Sequence, residues 1–310
     1  MIELFARSPG MREAVGLAER VSSTDANVWI TGESGAGKDV LASFIHWKSP
    51  RATQPLVKID CATLPGDLLE AELFGYERGA FTGASEAKPG RFEAAQKGTL
   101  VLDEIAHLSI GAQAKLLRVI ETHEFERLGG RKTIKIDSRL IALTNVDLGD
   151  AVKAGRFRED LFYRLDVIHI RVPPLRERKE DLSKLLQYFL KHYSAKHGRK
   201  VERVSAPALA LLQAYDYPGN ARELANIVER AVIVANGKGL EEHDLPAGLS
   251  AAVSARRQQE KPPSLAELEA AYIAEVLART KGNKTECARI LGISRKNLYE
   301  KIARYDLSHR

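Results

Sequence analysis

The sequence predicts an α/β chain in three parts: a mostly parallel sheet with flanking helices over residues 1–172, a small all-α region over 173–248, and a C-terminal all-α module over 264–310. Three observations predict it. Short aliphatic or β-branched runs alternate with helical periods in the first part. Helical patterning takes over from "PPLRERKEDLSKLLQYFLKHY" onward. A small, polar, proline-bearing stretch, "GLSAAVSARRQQEKPPS", then sets the last module apart, and is read as a linker over 249–263.

The elements follow in order. "NVWITGESGAGKDVLASFIHW" reads as a strand ending at Thr31, a Gly-rich turn, and a helix opening at Lys38. "GTLVLDEIA" is a short buried-type strand that ends in two acids, and "SRLIALTNV" is another that ends in Thr144-Asn145. In the last module, Leu265, Leu268, Ile273, Val276 and Leu277 recur at helical spacing. Residues 283–294 then read as a helix, a Gly-bearing turn and an N-capping Ser294, with a second helix from Arg295 to Arg304. Ala288 is small where the two helices cross. No internal repeat is visible.

Bulk properties narrow the class. With 310 residues and 44% hydrophobic content, the chain can bury one large core plus smaller modules. No run approaches the roughly 18 apolar residues of a membrane helix, and the start lacks a secretory pattern. Cys61 and Cys287 lie in stretches of different character, so no structural disulfide is expected and a reducing, cytoplasmic setting fits. Residues 281–310 hold eight Lys/Arg against three acids, which is +5 of the net +6. A basic end on a near-neutral body points to an anionic partner there, although a solvated basic helix has the same composition.

Gly32-Glu33-Ser34-Gly35-Ala36-Gly37-Lys38-Asp39 matches the phosphate-loop pattern through its lysine. Its glycines let backbone N–H groups turn toward phosphate oxygens, the following helix offers its N-terminus, and Lys38 adds a point charge. Asp39 stands where a Ser or Thr hydroxyl normally touches Mg²⁺, and a structural Gly-rich turn is the plain alternative. Asp103-Glu104 adds the complementary half. One carboxylate can hold Mg²⁺, and the next can polarise the water that attacks a γ-phosphate. Asn145 can hydrogen-bond that phosphate or its water. Arg158 and Arg164, six residues apart in "GRFREDLFYRL", can serve as arginine fingers. Their plain alternative is a salt-bridged helix, since Glu159, Asp160 and Asp166 lie close by in sequence. In the last module the second helix exposes Arg295, Lys296, Asn297 and Lys301. Asn297 suits base reading in a major groove, and the basic residues suit phosphate or guanine. A helical oligomerisation hairpin is the alternative.

One loop fits none of this chemistry. "ELFGYERGAFTGA" places Phe81 between glycines in a polar stretch with little reason to order itself. Gly79-Ala80-Phe81-Thr82-Gly83-Ala84 resembles the signature of bacterial enhancer-binding proteins, the NtrC-like branch of the AAA+ ATPases that activates sigma-54 RNA polymerase. The resemblance extends over nearly the whole chain through "ITGESGAGKD", "GRFEAAQKGTLVLDEI", "LLRVIETHEFERLGG", "ALTN", "FREDLFYRL", "PPLRERKED" and "YPGNARELANIVERA".

That resemblance implies an AAA+ subdomain, a helical lid and a Fis-type helix-turn-helix. It implies ATP and Mg²⁺ as cofactors, with Asp103 coordinating the metal and Glu104 activating water. Asn145 would be the sensor at a strand end, and Arg158 and Arg164 the arginines that reach a neighbouring subunit's nucleotide. It also makes Arg222 a lid sensor, Phe81 and Thr82 the contacts to the sigma factor, and Glu93 and Arg127 a relay from nucleotide to loop. Implied partners are sigma-54 RNA polymerase, double-stranded enhancer DNA, and further copies of the chain, dimeric at rest and ring-forming, as a hexamer, when active. An inhibitory protein acting in trans is a further expectation, because many relatives carry an N-terminal receiver or sensing domain and this sequence opens on the first ATPase helix. Asp39 agrees with the family, which usually has an acid there. Asp60 departs from it: many members carry an Asn that holds the catalytic Glu, and an ionised Asp has no donor for Glu104. The expected function is ATP-driven remodelling of the closed sigma-54 polymerase complex. The alternatives are an AAA+ remodeller of another client and a DNA-binding regulator that binds ATP without turnover.

Overall fold

The computed structural model describes residues 5–260, 264–280 and 283–305, in two compact units that meet in sequence at Leu249 and Ser250. In the first unit the strands are β1 (Val28–Thr31), β2 (Leu56–Asp60), β3 (Thr99–Asp103), a small antiparallel hairpin of β4 (Glu124–Glu126) and β5 (Thr133–Lys135), β6 (Arg139–Thr144), β7 (Ile168–Arg171), and a two-residue parallel pair, β8 (Arg203–Val204) and β9 (Gly239–Leu240), within the region that the sequence predicts to be all-α. Five of them form the main sheet in the order β2-β3-β6-β1-β7, and every neighbouring pair is parallel. A parallel sheet buried on both faces needs strands that are apolar throughout. Accordingly, β6 is buried along its whole length.

Alternate side chains of these strands feed two cores. Trp29, Leu100, Leu102, Leu140 and Ala142 face one side. There they meet Leu69 and Leu73 of α3 (Gly66–Phe74), Leu116 of α5 (Ile110–Thr122), and Leu161 of α7 (Glu159–Leu165), with the short α4 (Arg91–Ala94) and α6 (Leu148–Lys153) alongside. Val28, Ile30, Val101, Ile141 and Leu143 face the other side, under α1 (Pro9–Ser22) and α2 (Lys38–Trp47). Arg139, only 2% exposed, donates to the carbonyls of Val21, Ser22 and Ala26 at 2.8, 3.2 and 3.3 Å. It thereby caps the end of α1 with positive charge, and burial pushes its pKa down to about 10.

A third core holds the helical region. Leu182, Leu186 and Leu190 of α8 (Lys179–Lys196) meet Leu212 of α9 (Ala206–Ala214) and Leu224, Val228 and Ala231 of α10 (Asn220–Val234). The stretch read as a linker is helical for most of its length, as part of α11 (Ala247–Glu260). Its Ala, Arg, Gln and Glu are strong helix formers, so its polarity did not mean loop. In the second unit, α12 (Leu265–Arg279), α13 (Lys284–Leu291) and α14 (Arg295–Arg304) close around Ile273, Val276, Cys287, Ala288, Leu298 and Ile302. Ser294 caps α14 by accepting from the Asn297 N–H, as the sequence predicts. Both cysteines are free and buried, and no helix among the described residues is long and apolar enough to cross a membrane.

Candidate functional site

The sheet order makes β3, β6 and β1 neighbours, so whatever follows these three strands gathers along one edge. The phosphate loop follows β1, Asp103-Glu104 closes β3, and Asn145 follows β6. A cavity at this edge is lined by Ser34, Gly35, Gly37, Lys38, Asp39, Asp103 and Glu104, with Val40 beside them and Phe189, Ala221, Arg222 and Ala225 from the helical region. Gly32, Glu33 and Ala36 of the same loop are not part of that lining.

Lys38 is buried at the start of α2. Its Nζ donates to the carbonyl of Gly32 at 2.8 Å and of Glu33 at 3.4 Å, and lies 3.7 Å from Glu104 Oε1. These are weak, replaceable partners for a cation that a phosphate would attract more strongly. Glu104 sits in the left-handed backbone region, at φ 52. Its Oε2 accepts the backbone N–H of Asn145 at 3.1 Å. The strand-end asparagine therefore meets the catalytic candidate through its main chain. Asp103 accepts the Glu104 N–H at 3.0 Å. Burial, then the charge of Glu104, pushes its carboxyl above the ordinary range. Among the described residues no group of three or more His, Cys, Asp or Glu is placed to hold a metal. The adjoining Asp103 and Glu104 carboxylates are hard oxygen donors on the cavity wall, and their chemistry suits a divalent cation that takes its remaining ligands from phosphate oxygens and water.

Other predicted residues lie differently. Asp39 Oδ1 accepts from Lys58 Nζ of β2 at 2.6 Å. Asp60 Oδ1 accepts the N–H of Ala62 at 2.9 Å, capping its own turn. Arg158 forks onto Asp160 at 3.0 and 2.7 Å, and Arg164 is exposed on α7. Neither arginine lines the cavity described above. Arg222 does, and its Nη1 donates to Ser34 Oγ at 2.9 Å. The Glu33 carboxylate turns to Arg176, at 2.6 and 2.8 Å, and to Asn220 Nδ2 at 3.0 Å. Chiefly through Arg176, its pKa is held down to about 2. Sequence reasoning did not single out Arg176, Arg178, Asn220 or Phe189. The first three lie in stretches quoted above, "PPLRERKED" and "YPGNARELANIVERA", but their phosphate-loop partners are 142 to 187 residues away, so the stretches alone do not show what they touch.

The Phe81 loop is more ordered than its composition foretells. Gly79 N–H donates to the Ala84 carbonyl at 2.8 Å, and Ala84 N–H to the Phe81 carbonyl at 3.0 Å. Ala84 is buried, Thr82 and Gly83 are exposed, and Phe81 is 41% exposed with its ring 4.9 Å from that of Tyr76, edge-on. At the loop's base, Arg127 joins Glu93 and Glu77. Ala80 rests against Gly129, where a Cβ would come within 2.9 Å of it.

In the second unit Arg295, Lys296 and Asn297 are exposed at the start of α14. Lys301 instead donates to Glu269 Oε1 at 2.6 Å, beside the Tyr305 hydroxyl on the same carboxylate at 2.7 Å. Lys284 lies 4.8 Å above the exposed Tyr299 ring.

Known proteins share this arrangement. The family model described as Sigma-54 interaction domain matches residues 4–171, AAA+ ATPase lid domain matches 176–262, and Bacterial regulatory protein, Fis family, matches 264–305. The chain is 44% identical over 312 residues to the regulatory protein AtoC of Escherichia coli K12, spanning 98% of this chain and 68% of that one. It is 43% identical to the transcriptional regulatory protein FlbD of Caulobacter vibrioides, over 97% and 70%. The crystal structure of NtrX from Brucella abortus with ADP superposes with a TM-score of 0.73 at 34% identity, over 98% and 69%, and the same protein was solved with ATP. With a sigma-54 interaction domain over more than half of its residues, followed in order by the lid and the Fis-type module, the chain belongs to the sigma-54-dependent transcriptional activators.

Proposed function

We propose that this chain binds ATP in the cavity at the ends of β1, β3 and β6, hydrolyses it between subunits of a ring, and uses the stroke to remodel sigma-54 polymerase through Phe81 and Thr82. One observation carries the reading: Lys38 and Glu104, from two separate segments, lie 3.7 Å apart in the lining of one cavity, and the Asn145 N–H from a third segment holds Glu104 at 3.1 Å. Lys38 takes the phosphates, and Glu104 orients and deprotonates the attacking water. Asn145 holds Glu104, and Arg222 closes the lid side. Asp103 would hold Mg²⁺, which supplies charge neutralisation at the phosphate oxygens. Arg158 and Arg164 lie outside this lining, which agrees with their acting on a neighbour's nucleotide. The ring is proposed as a hexamer assembled from dimers in the cytoplasm, restrained by an inhibitory protein in trans. Arg295, Lys296 and Asn297 would place it on upstream DNA.

The test is binding of the purified chain to sigma-54 with a metal-fluoride transition-state analogue, for the parent and Phe81→Ala. Binding that needs the analogue and disappears in Phe81→Ala is expected. Intact ATPase with no sigma-54 binding would leave the motor and remove the client.

A further inference from the structure

We infer that Asn220, acting with Arg176 and Arg178, is a positioning residue that holds the phosphate loop in shape from the lid side without touching nucleotide. The inference rests on the ATP reading above and deepens it.

Three consecutive carbonyls of the loop are accounted for by the helical region. The Ser34 carbonyl accepts Asn220 Nδ2 at 3.1 Å, that of Gly35 accepts the Ala221 N–H at 3.1 Å, and that of Ala36 accepts Arg178 Nη2 at 2.6 Å. Asn220 is fully buried, with φ 55 in the left-handed region. Its whole amide is in use: Oδ1 accepts the Leu175 N–H at 2.7 Å, and Nδ2 also reaches Glu33 Oε2 at 3.0 Å. Arg178 is 4% exposed, and its Nη1 turns to the sulfur of Met11 at 3.4 Å. Glu33 adds the two-bonded fork from Arg176.

Gly35 shows how close this approach is. It has φ 73, and a Cβ there would run into the Gly219 carbonyl and come within 2.9 Å of Arg222 Cβ. The glycine is required by the lid as well as by a phosphate. A loop whose carbonyls are fixed before ligand arrives pays less ordering entropy on binding. Lid residues remote from the phosphates therefore set nucleotide affinity.

The cleanest test uses the exposed pair, because exposed ion pairs add little to folding. Glu33→Ala and Arg176→Ala should each raise the Kd of a fluorescent ATP analogue about tenfold, with the nucleotide-free melting temperature nearly unchanged. The double variant should be no worse than either single one. Exchanging the charges, Glu33→Arg with Arg176→Glu, restores the ion pair but leaves Asn220 Nδ2 without its carboxylate acceptor, and should recover only part of the affinity. Asn220→Asp keeps the acceptor for Leu175 but sets a carboxylate oxygen against Glu33, and should raise Kd further than either alanine. Singles that fold and bind within twofold of the parent would overturn the inference while leaving the ATP site intact. A lowered melting temperature with unchanged Kd would overturn it too, by making the junction merely structural. A parent chain that binds no ATP would overturn the functional reading and this inference together.

Discussion

Arg127 and Glu93 face each other in a two-bonded fork, Nε to Oε1 at 2.9 Å and Nη2 to Oε2 at 2.7 Å. The same guanidinium reaches Glu77 Oε1 at 3.2 Å, and Glu93 Oε1 also accepts the Gly90 N–H at 3.3 Å. Glu77 lies before the Phe81 loop and Gly90 after it, so one arginine ties both stems to the chain that follows β4. Replacing Glu93 by Gln should cost about 1–2 kcal/mol of stability and speed hydrogen exchange across residues 79–84. Unchanged exchange there would separate this fork from the loop.

The fork also has a pH signature. Hydrogen bonding from Arg127 lowers the Glu93 pKa below its ordinary 4.5, despite opposing burial. The ionised form is thus favoured by folding. Its contribution is fully present above the unfolded value and is lost as pH falls through the lower folded value. Between pH 7 and 5.5 the Glu93→Gln destabilisation should stay constant, and it should shrink below pH 4.5. Chemical denaturation of parent and variant at several pH values measures it.

Glu104→Gln keeps the hydrogen-bonding shape at Asn145 and removes the base. ATP binding should persist while turnover falls on the order of 10²–10⁴-fold. Turnover close to the parent's would remove Glu104 from its assigned role.

If Arg158 or Arg164 acts across a subunit boundary, alanine variants should lose on the order of 10³-fold in turnover. Mixing Arg164→Ala with Glu104→Gln chains should restore measurable activity, because some boundaries then pair an intact arginine with an intact glutamate. An inactive mixture whose mixed ring assembly is verified would place both residues in one subunit's site.

In the second unit the structure separates residues that composition groups together. Lys296→Ala should flatten the salt dependence of DNA binding by about one unit of slope. Lys301→Ala should change that slope less, since its ammonium is held by Glu269, and should instead lower the unit's melting temperature. Titrations of duplex DNA at several salt concentrations distinguish the two.

The sequence by itself determined the α/β class, the three strands that end at the site, the phosphate loop, the acid pair and the helix-turn-helix. Each is written in contiguous residues: a buried strand needs an apolar run, a phosphate loop needs its glycines and lysine in a row, and a cap sits beside its helix. Tertiary structure decided what depends on meetings across the chain. Glu33 sits inside the loop motif, yet its carboxylate is taken by Arg176, 143 residues on. Asp39 is drawn to Lys58, and Asn145 presents its N–H rather than its amide to Glu104. The residues 249–260 read as linker by composition and fold as helix, because small and charged residues serve both states and only context separates them. Asn220 lies in the quoted "YPGNARELANIVERA", but that stretch does not reveal its partners. Its buried amide acquires three partners only once the helical region closes against the phosphate loop.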